Sequence, residues 1–501
     1  MTLTRGAWRA VIAVVVAILA GVYIVAWRAP ALGLFHDDAV YLESAKSLVA
    51  GHGYLIESLP AAIPQTKYPP LWPAVLALFL LISQNPLWLK LPAMLSTAGW
   101  LFFSYKLLRK MGAGHLGALA LVLMVAASPT TVFVATHLMS EPLFALLVTA
   151  SLLAMLDDHP ALAGALAGLA TITRSAGLPL LAAVFLVLLI RRRLRAAAFC
   201  TAAAGLIVAP WIGWSLAHAS NHPYYSGASY TATSILTSLP ANEKLAVLAM
   251  NVLFLLGTPF SLLSGAGNIY AALVTLALFI WALIRRRQLV PDLFLLIYCA
   301  LLLTWAGPPQ RFVAPVLPLV LWIVLRAFQN IRRRELLAAC AIVLIGLPLW
   351  ADFIRLPNTL RSGDFSYSTR EPNDWSRMQL LFAYLRDKTP PDTIVLANLD
   401  PVFYLNTGRK AVRGFFPDGY KLYYAPSASN PVITPDQMAS EITHNGIGYV
   451  ALTPDRDFAE APAYHRAAEA LERGGVLAPV DIPGAGPDYR LLRVVSFRLE
   501  R

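Results

Sequence analysis

The chain is short of charge, of cysteine in its polar parts and of nucleotide-binding glycine loops, and each shortage removes a class of protein. Only 14% of its 501 residues are charged, whereas 57% are hydrophobic, and the mean hydropathy is +0.60. Soluble domains carry about 25% charged residues, so the composition is that of a polytopic membrane protein. The three cysteines, Cys200, Cys299 and Cys340, all lie in apolar runs, which excludes a disulfide framework. Acids are outnumbered, 28 Asp and Glu against 40 Lys and Arg, for a net charge of +12. The excess sits in arginine clusters between apolar runs, where the positive-inside rule explains it and no nucleic-acid partner is required. The polar tail has neither a nucleotide-binding glycine loop nor a metal-ligand cluster, and no repeats or low-complexity tracts stand out.

What is present is a series of apolar runs. Arg5 and Arg9 precede the first, about Val11 to Trp27. No convincing small-x-small cleavage site follows and further apolar runs do, so it reads as an uncleaved span with the amino terminus inside. Further runs fall near 71–83, 87–108, 114–128, 141–156, 161–173, 177–190, 196–217, 246–260, 268–284, 291–306, 312–328 and 335–352. The clusters at Arg109-Lys110, Arg191–Arg193, Arg285–Arg287 and Arg332–Arg334 are expected on the cytoplasmic side. That condition is met if 71–83 and 246–260, both short of the roughly 20 residues a span needs, are re-entrant or interfacial. About eleven spans remain; a thirteen-span arrangement ranks second. Residues 1–352 then form a membrane domain, and 353–501 form a small α/β domain outside the membrane. In that tail 393–399, 447–453 and 490–498 read as strands, and 376–388 and 458–473 as helices.

This topology collects the polar loops on one face, and the densest is Gly33–Pro70, which follows the first span. Tyr41, Leu42, Ala45, Leu48 and Val49 recur at helical spacing, so Asp37 and Asp38 stand at a helix start. Adjacent residues of a helix point about 100° apart, so the two carboxylates are expected to serve different tasks. One can act as a general base while the other holds a metal or a backbone amide. The plain alternative is that they cap the helix. Lys67, in QTKYPPLWP, is either a snorkelling interfacial lysine or a cation for an anionic ligand. Arg174 interrupts apolar sequence, a setting in which arginine is usually paired. Arg311 opens another apolar run. Together Lys67, Arg174 and Arg311 suit a phosphate. Glu141 and His137, in ATHLMSEPLF, are candidates for acceptor or metal contact, with a structural histidine as the alternative. Tyr68 joins them as a candidate acceptor or metal contact, and the aromatics of TKYPPLWP and of HPYYSGASY at 222–230 are candidates for lining the aqueous approach, although interfacial aromatics are expected in any case.

In their order, HDDAVYLESAKSLVAGHGY, TKYPPLWP, LMSEPLF, TRSAGLPLL and RFVAPVLPL resemble the polytopic C-type glycosyltransferases that use polyprenyl-phosphate sugars. The resemblance is to the branch holding protein O-mannosyltransferases and the lipid A aminoarabinose transferase, and it covers about Ala10 to Trp350. It implies a mainly α polytopic fold and inverting transfer of one sugar from a lipid phosphate to an acceptor hydroxyl outside a bacterial inner membrane. It also implies Asp37 as the base, Asp38 supporting it or touching a metal, and Lys67 and Arg311 as donor-phosphate contacts; Arg174 joins them on position and charge. The acceptor class is glycan, lipid or protein. Two positions depart from the family. Thr66 replaces the acid that precedes the lysine in the aminoarabinose branch, and Asp37-Asp38 replaces the Asp-Glu of the mannosyltransferases, so the divalent metal and the sugar stay open. Alternatives of other classes are a lipid-linked oligosaccharide ligase or polymerase, and a lipid flippase or transporter.

Overall fold

The computed structural model describes residues 5–220, 240–264, 289–305, 307, 309–328, 345–366, 372–414, 424, 433–455, 458 and 460–495. The membrane region begins with α1 (Arg5–Arg28) and α2 (Asp37–Val49), then a two-stranded antiparallel hairpin, β1 (Leu55–Ile56) with β2 (Ile63–Pro64). There follow α3 (Leu71–Leu80), α4 (Pro86–Lys110), α5 (His115–Ala126), α6 (Pro129–Thr136), α7 (Glu141–Leu156) and α8 (Pro160–Thr173). Next come α9 (Leu178–Ile190), α10 (Leu194–Ala217), α11 (Ala241–Ser264), α12 (Leu289–Leu303), α13 (Gln310–Val313) and α14 (Leu317–Phe328).

Small residues set the closest helix contact. The sequence PALAGALAG gives α8 a face that meets α10 backbone to backbone, and a Cβ on Gly164 would collide with the Cys200 carbonyl. Such close approach is how helices associate where lipid removes the hydrophobic drive between them. The opposite face of α10 keeps Leu194, Phe199, Leu206 and Leu216 exposed, an apolar stripe suited to lipid.

The span pattern differs from the sequence reading in two ways. The 246–260 run, expected to be short and re-entrant, belongs to the 24-residue α11, of which Ala241–Pro259 is long and apolar enough to cross a membrane. The helix starts earlier than its apolar run because it takes in the polar turn containing Asn242, Glu243 and Lys244. Conversely, several runs counted as full spans are short or broken helices. α5 and α6 bend by 65°, and α8 and α9 are separated by a 3-10 turn at Ser175–Gly177. By length and composition three described helices can cross a membrane, or four if the bent pair is one span. α3, with ten residues, has the short length expected of 71–83. The runs at 268–284 and 335–344, and the arginines at 285–287 and 332–334, lie outside the described residues.

After α15 (Leu356–Ser362) the chain builds the α/β unit. Its elements are α16 (Trp375–Lys388), β3 (Ile394–Ala397), α17 (Asp400–Thr407), β4 (Lys410–Val412), α18 (Pro435–Asn445), β5 (Tyr449–Leu452), α19 (Ala461–Arg473), β6 (Leu477–Val480) and β7 (Arg490–Val494). The sheet order is β4-β3-β5-β7-β6, with β3 parallel to β4 and β5 and the remaining pairs antiparallel. Alternation along β3 splits the core: Val395 and Ala397 pack with Met378, Phe382 and Phe403 of α16 and α17. Leu396 packs with Ile442, Tyr464 and Leu471 of α18 and α19.

The segment between α1 and α3 is built into both of these cores. Ala31, Leu34 and Ala39 join the first, and Ile56 and Leu59 join the second. The Ala411 amide of edge strand β4 donates to the Ser58 carbonyl at 2.8 Å, and Lys410 Nζ donates to the Glu57 carbonyl at 2.5 Å. An exposed strand edge is a liability unless covered, and here the loop after α2 covers it.

Candidate active site

Asp37 is the first residue of α2, and the turn before it is tightly specified. Gly33 has φ +87°, and a Cβ there would stand 2.9 Å from the Ala39 Cβ, so glycine is required both for conformation and for space. The His36 amide donates to the Gly33 carbonyl at 3.0 Å. Asp38 closes the turn from within: its Oδ2 accepts the Gly33 amide at 2.8 Å and its Oδ1 the Phe35 amide at 3.2 Å. Asp38 is fully buried. Burial pushes its carboxyl above the ordinary range, against the opposing pull of His137 and the Gly33 amide.

Asp37 faces the other way. Its side chain keeps 24% of its surface exposed, its Oδ1 accepts Tyr68 Oη–H at 2.6 Å, and its Oδ2 accepts Arg311 Nη2–H at 3.0 Å. Burial raises this carboxyl, but Arg311, Lys67, the Tyr68 hydrogen bond and His36 outweigh it and hold the group well below the usual carboxylate range.

The surrounding cations come from helix ends. Glu141, the first residue of α7, is 1% exposed at its side chain and gathers two guanidiniums on Oε1. Arg311, at the start of α13, donates from Nε at 3.0 Å and from Nη2 at 2.7 Å. Arg174, at the break between α8 and the 3-10 turn, approaches at 3.1 Å and donates to Ser140 Oγ at 2.8 Å. Arg311 lies over the Phe35 ring at 4.2 Å and Arg174 over Phe312 at 5.2 Å, contacts that hold planar guanidiniums by their faces. Lys67 stands 5.1 Å from the Tyr68 ring centroid. Its turn is set by Gln65, whose Oε1 accepts both the Lys67 and Tyr68 amides. Burial, and secondarily the Arg413 guanidinium, lower the Lys67 ammonium to about 8 against the pull of Asp37 and Asp400.

Asp37, Tyr68, Lys67, Glu141, Arg174 and Arg311 are thus brought to one place from five separate stretches of sequence. His137 is engaged elsewhere. Its Nδ1 is 2.8 Å from the Phe133 carbonyl and its Nε2 is 2.8 Å from Asp364 Oδ1, with the ring buried against Phe133. This geometry is the structural role weighed above as the alternative to ligation. The 222–230 aromatics lie outside the described residues.

The site also contains groups that the sequence did not reveal. Phe35 packs against Phe458 at 6.5 Å, and His36 Nε2 meets Asp400 Oδ1 at 3.1 Å, so the α/β unit reaches the acid-bearing turn. Tyr424 accepts the Gly307 amide at 3.0 Å and donates to Asn251, close in sequence to Arg311. The adjacency of His36 to the two acids was the only sequence signal for any of these contacts.

A metal has poor provision at these positions. Among the described residues no group of three or more His, Cys, Asp and Glu side chains is disposed to hold one. The place between Asp37 and Glu141 is bridged by Arg311 Nη2. Chemically, the arrangement offers an ionised, partly exposed carboxylate beside three cations, which suits proton acceptance next to a developing anion.

Known proteins share part of this sequence and its fold. Residues 66–308 match the family model described as Glycosyltransferase family 87. Among curated protein sequences the chain has no match. Two crystal structures of ArnT from Cupriavidus metallidurans share the fold. The one bound to undecaprenyl phosphate has a TM-score of 0.57 at 13% identity, covering 99% of this chain and 100% of that one. The apo structure has a TM-score of 0.55 at 14% identity, covering 97% and 98%.

Proposed function

We propose that this chain, which shares the fold of the ArnT structures and matches the Glycosyltransferase family 87 model over residues 66–308, is a polytopic membrane glycosyltransferase that performs inverting transfer of one sugar from a polyprenyl-phosphate donor to an acceptor hydroxyl, with Asp37 as the general base. The observation that carries this reading is the Asp37 carboxylate itself, partly open to solvent yet linked to Tyr68 and Arg311 and flanked by Lys67 and Arg174. The undecaprenyl phosphate bound by the ArnT relative supports a lipid of that class as the carrier.

The acceptor oxygen attacks the anomeric carbon as the bond from that carbon to the phosphate oxygen breaks. The acceptor proton passes to Asp37, and the bond electrons leave with the phosphate. Charge accumulates on that leaving group, where Lys67, Arg174 and Arg311 stabilise it. Asp37 is a weak base because of its cations, which is tolerable here. In an oxocarbenium-like transition state the attacking hydroxyl becomes strongly acidic as its new bond forms, and a carboxylate that stays ionised is sufficient.

This reading further assigns the cell inner membrane as the location, the outer face as the side of transfer, and a glycan, lipid or protein as the acceptor. The deciding experiment offers purified protein a panel of undecaprenyl-phosphate monosaccharides and compares wild type with Asp37→Asn. The expected result is turnover of at least one donor that falls by at least about 10²-fold in the variant while donor binding is kept. Wild-type turnover in Asp37→Asn overturns the mechanism. Consumption of lipid-linked oligosaccharide, with every monosaccharide donor ignored, overturns the donor assignment in favour of a ligase or polymerase.

A further inference from the structure

We infer that Asp400 of the α/β unit is a positioning residue for Asp37, acting through His36, so that this unit completes the active site; the inference rests on Asp37 being the base. His36 is the residue immediately before Asp37, and its φ of +72° lies in the left-handed region that a non-glycine residue seldom occupies. Such a conformation persists where its surroundings impose it. The surroundings here are identifiable. His36 Nε2 is 3.1 Å from Asp400 Oδ1, and the two side chains are 6% and 0% exposed. Asp400 Oδ2 is buried with no hydrogen-bond partner among the described residues, so His36 supplies the direct contact to this carboxylate while Lys67 attracts it from farther off.

The location is the one where α/β sheets ordinarily receive a ligand. Strand β3 is flanked by β4 and β5, both parallel to it, which puts a topological switch point beside β3. Asp400 begins α17 directly after β3, and Phe458 follows β5. Against this carboxyl edge the sheet holds the membrane domain's own turn: His36 on Asp400, Phe35 on Phe458, and Gly33 close to Val402. Asp38 pins the Gly33 and Phe35 amides from the opposite side. With both sides held, His36 sets where α2 starts and therefore where the Asp37 carboxylate stands relative to Arg311 and Tyr68.

The test is a double-mutant cycle on turnover with the undecaprenyl-phosphate donor that wild type consumes. His36→Ala and Asp400→Ala are each expected to lower kcat roughly 10- to 100-fold, the range for a small misplacement of a reacting group, with donor KM within two-fold. The double variant should lose no more than the worse single variant, because both act through one contact. His36→Gln, which keeps an Nε2–H at similar reach, and Asp400→Asn, which keeps the acceptor, should retain most of the turnover. Independently of any donor, Asp400→Ala should speed amide hydrogen exchange across residues 33–40 in detergent. Additive losses, unchanged kcat, or a loss confined to KM would overturn the inference, as would unchanged exchange in that turn. Asp37→Asn run in parallel separates the two claims. If that variant is inactive while the Ala variants match wild type, positioning alone fails; if it turns over normally, the base assignment fails.

Discussion

Asp37 and Asp38 are neighbours in sequence and opposites in environment. One is 24% exposed and answers to three cations and a phenol; the other is fully buried and answers to two backbone amides. The helix start explains the divergence, since consecutive side chains diverge by about 100° and only one can face the cations while the other turns back under the loop. The difference teaches that an acidic pair need not be a metal pair. One carboxylate is available for chemistry because the other does the structural work of holding the turn.

That contrast is broken most severely by Asp37→Asn, for which transfer falls at least 10²-fold with donor binding kept, as above. Glu141→Gln comes next. Glu141 gathers Arg174 and Arg311 on a single oxygen, so neutralising it leaves Arg311 with Asp37 as its remaining carboxylate in this group. Asp37 is then paired more tightly, and the cations proposed for the donor phosphate are less well placed. The expected outcome is a drop of about 10-fold or more in kcat/KM for the donor, given that charged hydrogen bonds contribute about 1.5–3 kcal/mol each. Steady-state kinetics over donor concentration checks it, and an unchanged kcat/KM would remove Glu141 from the site.

Asp38→Ala sharpens the comparison from the structural side. It strands the Gly33 and Phe35 amides, and a buried donor left without its acceptor costs about 1–3 kcal/mol. Thermal unfolding in detergent should therefore shift down by several degrees, whereas the same measurement on Asp37→Asn should shift little. Equal melting temperatures for Asp38→Ala and wild type would contradict the division of labour.

The parts of this contrast visible in sequence were those with local signatures. Helical spacing after Asp38 located α2, the apolar run and proline pair bracketed Lys67, and strand-like runs in the tail located β3, β5 and β7. Strand β4 was missed because it is three residues long, β6 because Pro479 interrupts its short run, and α17 because its eight residues show little periodicity. The convergence of Arg174, Arg311 and Glu141 was suspected from charge in apolar sequence, but their mutual pairing was not legible. Nothing local says which carboxylate a guanidinium will meet. The same holds for His36 with Asp400 and His137 with Asp364, contacts between stretches far apart in the chain whose partners only the fold supplies. The early start of α11 was hidden for a different reason: its polar first turn delays the apolar run until after the helix has begun.

The smallest expected effect concerns pH and asks whether Lys67 belongs with the cations of Asp37. Since kcat/KM reports the free enzyme, its pH profile should carry the Lys67 ammonium, lowered to about 8 mainly by burial. If Lys67 holds donor phosphate as proposed, its charged form is the binding one, so kcat/KM should fall as pH rises through about 8 and recover on the acid side of it. Asp37 adds no opposing limb near neutrality, because a carboxylate held below its usual range stays ionised until the pH falls through that lowered value. Lys67→Arg separates the two groups, since a guanidinium remains charged throughout this range. A few-fold lower kcat/KM at pH 7 is expected from the altered fit, together with a flat profile to about pH 9.5. An alkaline limb that persists unchanged in Lys67→Arg would assign it to another group and detach Lys67 from the phosphate site.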